Sequence, residues 1–108
     1  MKNKLIAHRG LHDKDTPENS MGAFKKALEK DIAIEFDVHL LKDNKIVVFH
    51  DDNLKRMTGI DKKINELSYD EIKDIKLANS DEKIPLLEDV LKLVNGKVLL
   101  DIELKYDH

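Results

Sequence analysis

The sequence predicts an α/β fold built on a parallel sheet. Two observations carry this. Short β-rich apolar runs alternate with segments of helical period along most of the 108 residues. Polar side chains with chemical potential collect where the apolar runs end, and in a parallel sheet that edge is where ligands bind. The length allows one domain at most, and an apolar content of 41% is enough to feed a core.

The first run, Leu5-Ile6-Ala7, ends at His8-Arg9-Gly10 and reads as a buried strand entering a loop. The polar stretch from Leu11 leads to Thr16-Pro17-Glu18-Asn19-Ser20, where Asn19 or Ser20 can cap a helix. Met21, Phe24, Ala27 and Leu28 recur at helical spacing and place that helix over residues 20–30. Ile32 to Val38 is the second strand and Ile46 to Phe49 the third, ending at His50-Asp51. Ser68-Tyr69-Asp70-Glu71 is a capping box, with Leu67 and Ile72 as its hydrophobic staple. Pro85 suits a helix's first turn, Leu86 to Val94 supplies an apolar face, and Gly96 falls at C′. Val98 to Leu104 is the fourth strand. One link breaks the regular alternation: the stretch from Val38 to Lys45 is too short for a parallel crossover, which needs about a dozen residues. It is either an antiparallel hairpin around Lys42-Asp43-Asn44 or an extended return, and the residues slightly favour the hairpin.

Composition excludes several classes. The chain has no Cys, which removes disulfide scaffolds and Cys-based zinc sites. Lys+Arg 19 against Asp+Glu 22 gives a net charge of −3, unlike the basic balance of a nucleic-acid binder. No apolar run approaches the roughly 20 residues of a membrane helix. Leu5-Ile6-Ala7, behind the basic Met1-Lys2-Asn3-Lys4, is shorter than the core of a signal peptide, about 7–15 residues. A cytoplasmic protein without a leader is the expectation.

Strand periodicity orders the polar residues. Positions i and i+2 share a face, so Glu35 and Asp37 point together, as do Glu103 and Lys105. A Glu-x-Asp pair is common on exposed strands. Here its neighbours Ile34, Phe36 and Val38 are all apolar, which turns the acids toward a cleft or barrel interior. Three carboxylates from two strands, drawn from Glu35 and Asp37 on one and Asp101 and Glu103 on the other, without thiols, suit a hard divalent cation such as Mg²⁺ or Ca²⁺, or Mn²⁺, better than zinc. His8 and His50 each follow an apolar strand beside a charged neighbour and suit proton transfer near neutrality. His12 and His108 lack that context, and His39 on strand 2 is left open. Arg9 offers a phosphate-binding fork and Lys105 a second cation. Together these residues read as metal-assisted phosphoryl-ester chemistry.

In this order the motifs resemble the glycerophosphodiester phosphodiesterase family. The matching pieces are His8-Arg9-Gly10, Pro17-Glu18-Asn19-Ser20 (with Ser20 where Thr is usual), Glu35-Phe36-Asp37-Val38, Val47-Val48-Phe49-His50-Asp51 and Ile102-Glu103-Leu104-Lys105. Leu40-Leu41-Lys42-Asp43, Leu54-Lys55-Arg56-Met57-Thr58-Gly59 and Ile84 to Leu91 also look like the family. The resemblance implies a TIM barrel with its site at the strands' carboxyl ends, and an extended return between strands 2 and 3. It implies metal ligands at Glu35, Asp37 and Glu103, and an acid/base pair at His8 and His50. It implies phosphate contacts from Arg9 and Lys105, with support from Glu18, Asn19 and Asp51; Asn19 organises the loop or caps the first helix. The implied reaction is hydrolysis of a glycerophosphodiester to glycerol 3-phosphate and an alcohol.

A TIM barrel takes roughly 250 residues, whereas this chain offers four candidate strands. The expectation is that residues 1–108 form a partial domain, the N-terminal half of a barrel. Closure would then come from the other half or from self-assembly with a second copy. Two rival functions stand beside the enzyme: a non-catalytic truncated fragment or assembly module, and a lysophospholipase D acting on a lipid diester.

Overall fold

Residues 5–105 are described in the computed structural model of the chain; Met1 to Lys4 and Tyr106 to His108 lie outside the described residues. The elements run β1 (Ile6–His8), α1 (Met21–Glu29), β2 (Ala33–Leu40), β3 (Ile46–Val48), α2 (Lys55–Thr58), a 3-10 turn (Ile64–Glu66), α3 (Tyr69–Ile72), α4 (Leu87–Val94) and β4 (Leu100–Leu104).

β2 organises the sheet. β4 lies parallel along one edge, with Ile34 opposite Leu100 and Asp37 opposite Glu103. β1 lies parallel beside the first half of β2, His8 opposite Glu35. β3 runs antiparallel beside the second half, Val38 opposite Val48 and Leu40 opposite Ile46. A strand has two edges, so β1 and β3 share the one that β4 leaves.

The β2–β3 link is therefore a hairpin. This corrects the extended return implied by the resemblance and agrees with the reading from residue spacing. The turn closes with Leu41 N–H on Lys45 C=O (2.8 Å) and Asn44 N–H on Leu41 C=O (3.0 Å). Asn44 adopts φ +69°, a left-handed conformation that Asn tolerates well. Three of the four strands are thus mutually parallel, and the fourth is an antiparallel arm folded back along β2.

Alternation in β2 divides its two faces. Ile34, Phe36 and Val38 enter a core with Phe24 and Ala27 of α1 and Val90 and Val94 of α4. The Phe24 and Phe36 rings meet at 5.4 Å between centroids, tilted by 53°. A second cluster beneath the middle of the chain joins Leu41, Val47, Phe49, Leu54, Ile64, Ile72 and Ile84. The opposite face of β2 carries Glu35, Asp37 and His39, all buried as well.

Helix ends follow local chemistry. Ser20 is the N-cap of α1, its Oγ accepting the Ala23 N–H at 3.1 Å. Gly10 permits close approach of this helix: it sits at φ +82°, and a Cβ there would fall 2.7 Å from the Ala23 Cβ. The Ser68–Glu71 box forms at α3, with Glu71 accepting the Ser68 N–H at 2.9 Å and both Leu67 and Ile72 buried. α4 opens at Leu87, two residues after Pro85, whose carbonyl instead accepts the Val48 N–H of β3 (2.9 Å). Asn95 (φ +47°) and Gly96 (φ +76°) end it. β1 reaches His8 and β4 starts at Leu100, each bounded by its pairing with β2.

Large apolar side chains stand exposed on β1 and around β4, among them Ile6, Leu99 and Leu104. Among the described residues, no helix is long and apolar enough to cross a membrane. Ile34→Val should cost about 0.5–1.5 kcal/mol of unfolding free energy. Leu99→Ala, at a position 67% exposed, should stay within about 0.5 kcal/mol. Urea denaturation of the two variants checks this ordering.

Candidate active site

The candidate residues meet at the carboxyl end of the parallel strands. The register that sets Asp37 opposite Glu103 brings β4's acid to the two on β2. Glu35, Asp37 and Glu103 each present a carboxylate oxygen within 4.8 Å of the others. Glu35 and Asp37 are buried and Glu103 is exposed, so the trio opens outward on one side. Burial first, then the carboxylates of Asp37 and Glu103, push Glu35 above the usual carboxylate range, against the opposing Arg9 N–H and His8. Converging acids that repel one another in a partly dry site are the donor set a hard divalent cation takes. The residues present therefore fit Mg²⁺, Ca²⁺ or Mn²⁺.

Cations flank the trio. Arg9 follows β1 at φ +59° and Gly10 at φ +82°, which turns the chain sharply at the end of the strand. The Arg9 backbone N–H bonds both the carbonyl (2.7 Å) and the carboxylate (3.2 Å) of Glu35. Its guanidinium Nη1 donates to both oxygens of Glu18 (3.2 and 3.1 Å), and its Nε lies 3.8 Å from Asp37 Oδ2. Lys105 Nζ lies 3.8 Å from Asp37 Oδ1. Its backbone N–H, bonded to the Val38 carbonyl at 2.9 Å, fixes the chain just past β4.

The two histidines arrive by different routes. His8 ends β1, with Nε2 3.7 Å from Glu35 Oε1 and its side chain 67% exposed. His50 is delivered by the hairpin: β3 doubles back until Phe49 N–H bonds the Asp37 carbonyl at 2.9 Å. His39 Nε2–H then donates to the His50 carbonyl at 3.1 Å. The residue left open in the sequence thus anchors the His50 backbone. His50 Nδ1–H donates to Asp51 Oδ1 at 2.8 Å, the contact that favours the Nδ1–H tautomer.

Asn19 and Ser20 divide the tasks expected of either. Ser20 caps α1, while Asn19, at φ +55°, donates its backbone N–H to the Arg9 carbonyl (2.8 Å) and its Nδ2 to Asp37 Oδ2 (3.4 Å). Sequence reasoning gave Arg56 no role. On α2, its guanidinium bonds Asp51 through Nε (2.8 Å) and Nη2 (3.1 Å), and Glu18 through Nη1 (3.1 Å) and Nη2 (2.7 Å). The signal available was the Leu54–Gly59 stretch, noted only as a likeness. Arg56 chiefly holds the Asp51 carboxyl down to about 2, against burial and with help from His50. Burial works to raise Glu18, and the guanidinium groups of Arg56 and Arg9 outweigh it to leave Glu18 lowered. Asp101 lies opposite Glu35 in register but is exposed and outside the trio.

Strands parallel to β2, helices behind them, and acids and cations at their carboxyl edge make up part of a TIM-type α/β sheet. The comparisons agree. The family model for the glycerophosphoryl diester phosphodiesterase family matches residues 8–108, and the chain belongs to that family. A glycerophosphodiester phosphodiesterase of Caldanaerobacter subterraneus subsp. tengcongensis is 40% identical over 97% of this chain and 46% of its own length. Lysophospholipase D GDPD1 of Homo sapiens is 34% identical over 93% of this chain and 36% of its own length. A solved glycerophosphoryl diester phosphodiesterase from Parabacteroides distasonis superposes with TM-score 0.86 at 34% identity, over 96% of this chain and 39% of that one. An Oleispira antarctica phosphodiesterase solved with the product sn-glycerol-3-phosphate gives TM-score 0.86 at 32% identity, over 95% of this chain and 44% of that one. The chain thus spans less than half the length of these relatives.

The raised Glu35 yields a signed prediction. Folding favours the protonated form, a contribution fully present below the ordinary value of 4.5 and lost as pH rises through the raised value. In metal-free buffer with chelator, Glu35→Gln should melt above the parent chain at pH 7. The two should converge below pH 4.5. Thermal melts at the two pH values check it.

Proposed function

We propose that this chain carries the catalytic edge of a metal-dependent glycerophosphodiester phosphodiesterase, working in the cytoplasm when its sheet is completed to a closed barrel by a companion half or a second copy. The observation that carries the reading is the acidic trio from two strands, with Arg9 and Lys105 against Asp37 and the His8 imidazole beside Glu35. The solved relative holding glycerol 3-phosphate supports the product class.

Glu35, Asp37 and Glu103 would hold a Mg²⁺ or Ca²⁺ ion (or Mn²⁺), which when bound neutralises charge on the phosphate oxygens. Arg9, steered by Glu18, and Lys105 offer fixed positive charge to the remaining phosphate oxygens without reorganising as the reaction proceeds. Of His8 and His50, one takes a proton from the nucleophile, either water or a neighbouring substrate hydroxyl. The other gives a proton to the leaving alkoxide, a poor leaving group otherwise. Asp51 keeps His50 in the tautomer whose Nε2 faces that task. Asn19 holds the loop that carries Glu18 against Arg9 and Asp37.

A second reading has its own observation. Beside Lys105 runs a groove lined by Val38, Leu40, Leu41, Ile46 and Leu104, apolar over most of its wall. An acyl chain in that groove would make the substrate a lysophospholipid, the class named for the human relative.

Release of choline from glycerophosphocholine, assayed in whichever assembled form turns over, tests both readings. Chelator should abolish it, and His8→Ala or His50→Ala should each lower kcat by about 10²–10⁴-fold. Full activity in His50→Ala would remove the acid/base assignment. A higher kcat/KM for lysophosphatidylcholine, reduced by Leu104→Asp, would select the lipid reading.

A further inference from the structure

We propose that Arg56 is a positioning residue that locks the two catalytic loops to each other, setting His50 through Asp51 and Arg9 through Glu18. The inference rests on the phosphodiesterase reading for its effect on rate, but its geometry stands on the residues alone.

One guanidinium makes four hydrogen bonds to two carboxylates that lie far apart in sequence. Each carboxylate is itself the partner of a candidate catalytic side chain. Asp51 accepts the His50 Nδ1–H at 2.8 Å. Glu18 accepts both bonds from Arg9 Nη1. The chain of contacts therefore runs from the imidazole to the guanidinium beside Asp37 with no gap, and Arg56 is its midpoint. Glu18 side-chain exposure is 10% and that of Asp51 24%, so both acids are largely removed from competing water. Arg56 itself is 48% exposed and pays for little by its charge alone; its contribution is geometric. A planar fork matches two carboxylates at once, which an ammonium group cannot do.

The element that holds Arg56 suits this task. α2 is a single turn pinned by Leu54 and Met57, both buried in the second core cluster. The Thr58 hydroxyl bonds the Leu54 carbonyl at 2.8 Å, and Gly59, at φ +81°, closes the turn on Lys55. The anchor belongs to the core rather than to either loop. Movement of the Glu18 loop relative to the His50–Asp51 segment, which leads directly into α2, is opposed from this core anchor.

The test reads the imidazole directly as well as the rate. In the parent chain loaded with Mg²⁺, ¹⁵N spectra of His50 should show the Nδ1–H tautomer. In Arg56→Gln that signature should give way to a mixture of tautomers, while Mg²⁺ affinity by calorimetry and the far-UV spectrum stay unchanged. Wherever turnover is measurable, Arg56→Gln should lower kcat by about 10–100-fold, with Arg56→Lys recovering only part of it. Combination with Asp51→Asn should be non-additive. An unchanged His50 tautomer in Arg56→Gln, or an additive double variant, would overturn the proposal. If no form of the chain turns over, the phosphodiesterase reading fails and the ¹⁵N result alone decides whether Arg56 positions His50.

Discussion

The convergence of Glu35, Asp37 and Glu103 is the constraint to which the rest of the structure answers. Three carboxylates within 4.8 Å repel, and burial makes the repulsion worse. They stay together because β2 and β4 are in parallel register and because the other face of β2 is fixed in a core of Phe24, Phe36, Val90 and Val94. Side chains that alternate across a strand cannot release one face without the other. The hydrophobic energy that seats Ile34, Phe36 and Val38 thereby holds Glu35 and Asp37 against their mutual repulsion.

The flanking groups distribute the remaining charge. Arg9 and Lys105 stand on opposite oxygens of Asp37, so the most deeply buried acid has two cations nearby. Glu35 has a backbone N–H and an exposed His8, and its carboxyl is raised. The site is thus most frustrated at Glu35, on the side where His8 and Glu103 face solvent. A cation bound there would relieve that frustration and so couple metal affinity to the stability of the sheet.

Much of this was legible in the sequence. The i, i+2 spacing of Glu35 and Asp37 between apolar neighbours put both acids on one buried face, and the strand assignments put His8 and Lys105 at the same edge. Ser68–Glu71 and the Asn95-Gly96 helix end needed only local chemistry. What escaped was long-range. The β2–β3 link was open to two forms, and analogy chose the wrong one; Asn44 in the left-handed region and the ladder to Val48 decided it. His39 reads as a lone strand histidine until the hairpin places the His50 carbonyl at its Nε2. Arg56 sits in a short turn with no periodicity, and two of its four bonds reach Glu18 on a distant loop, a juxtaposition that only tertiary packing creates.

The central claim is that acids from two separate strands share one ion, and Glu103 is the member that tests it, since it alone comes from β4 and is exposed. Calorimetric titration of Mg²⁺ and of Ca²⁺ into the chain and into Glu103→Gln is the direct measurement. The account predicts one ion per chain and an affinity loss of about tenfold or more in the variant. Binding of equal strength and stoichiometry in Glu103→Gln would show that β4 takes no part in holding the metal, and would contradict it.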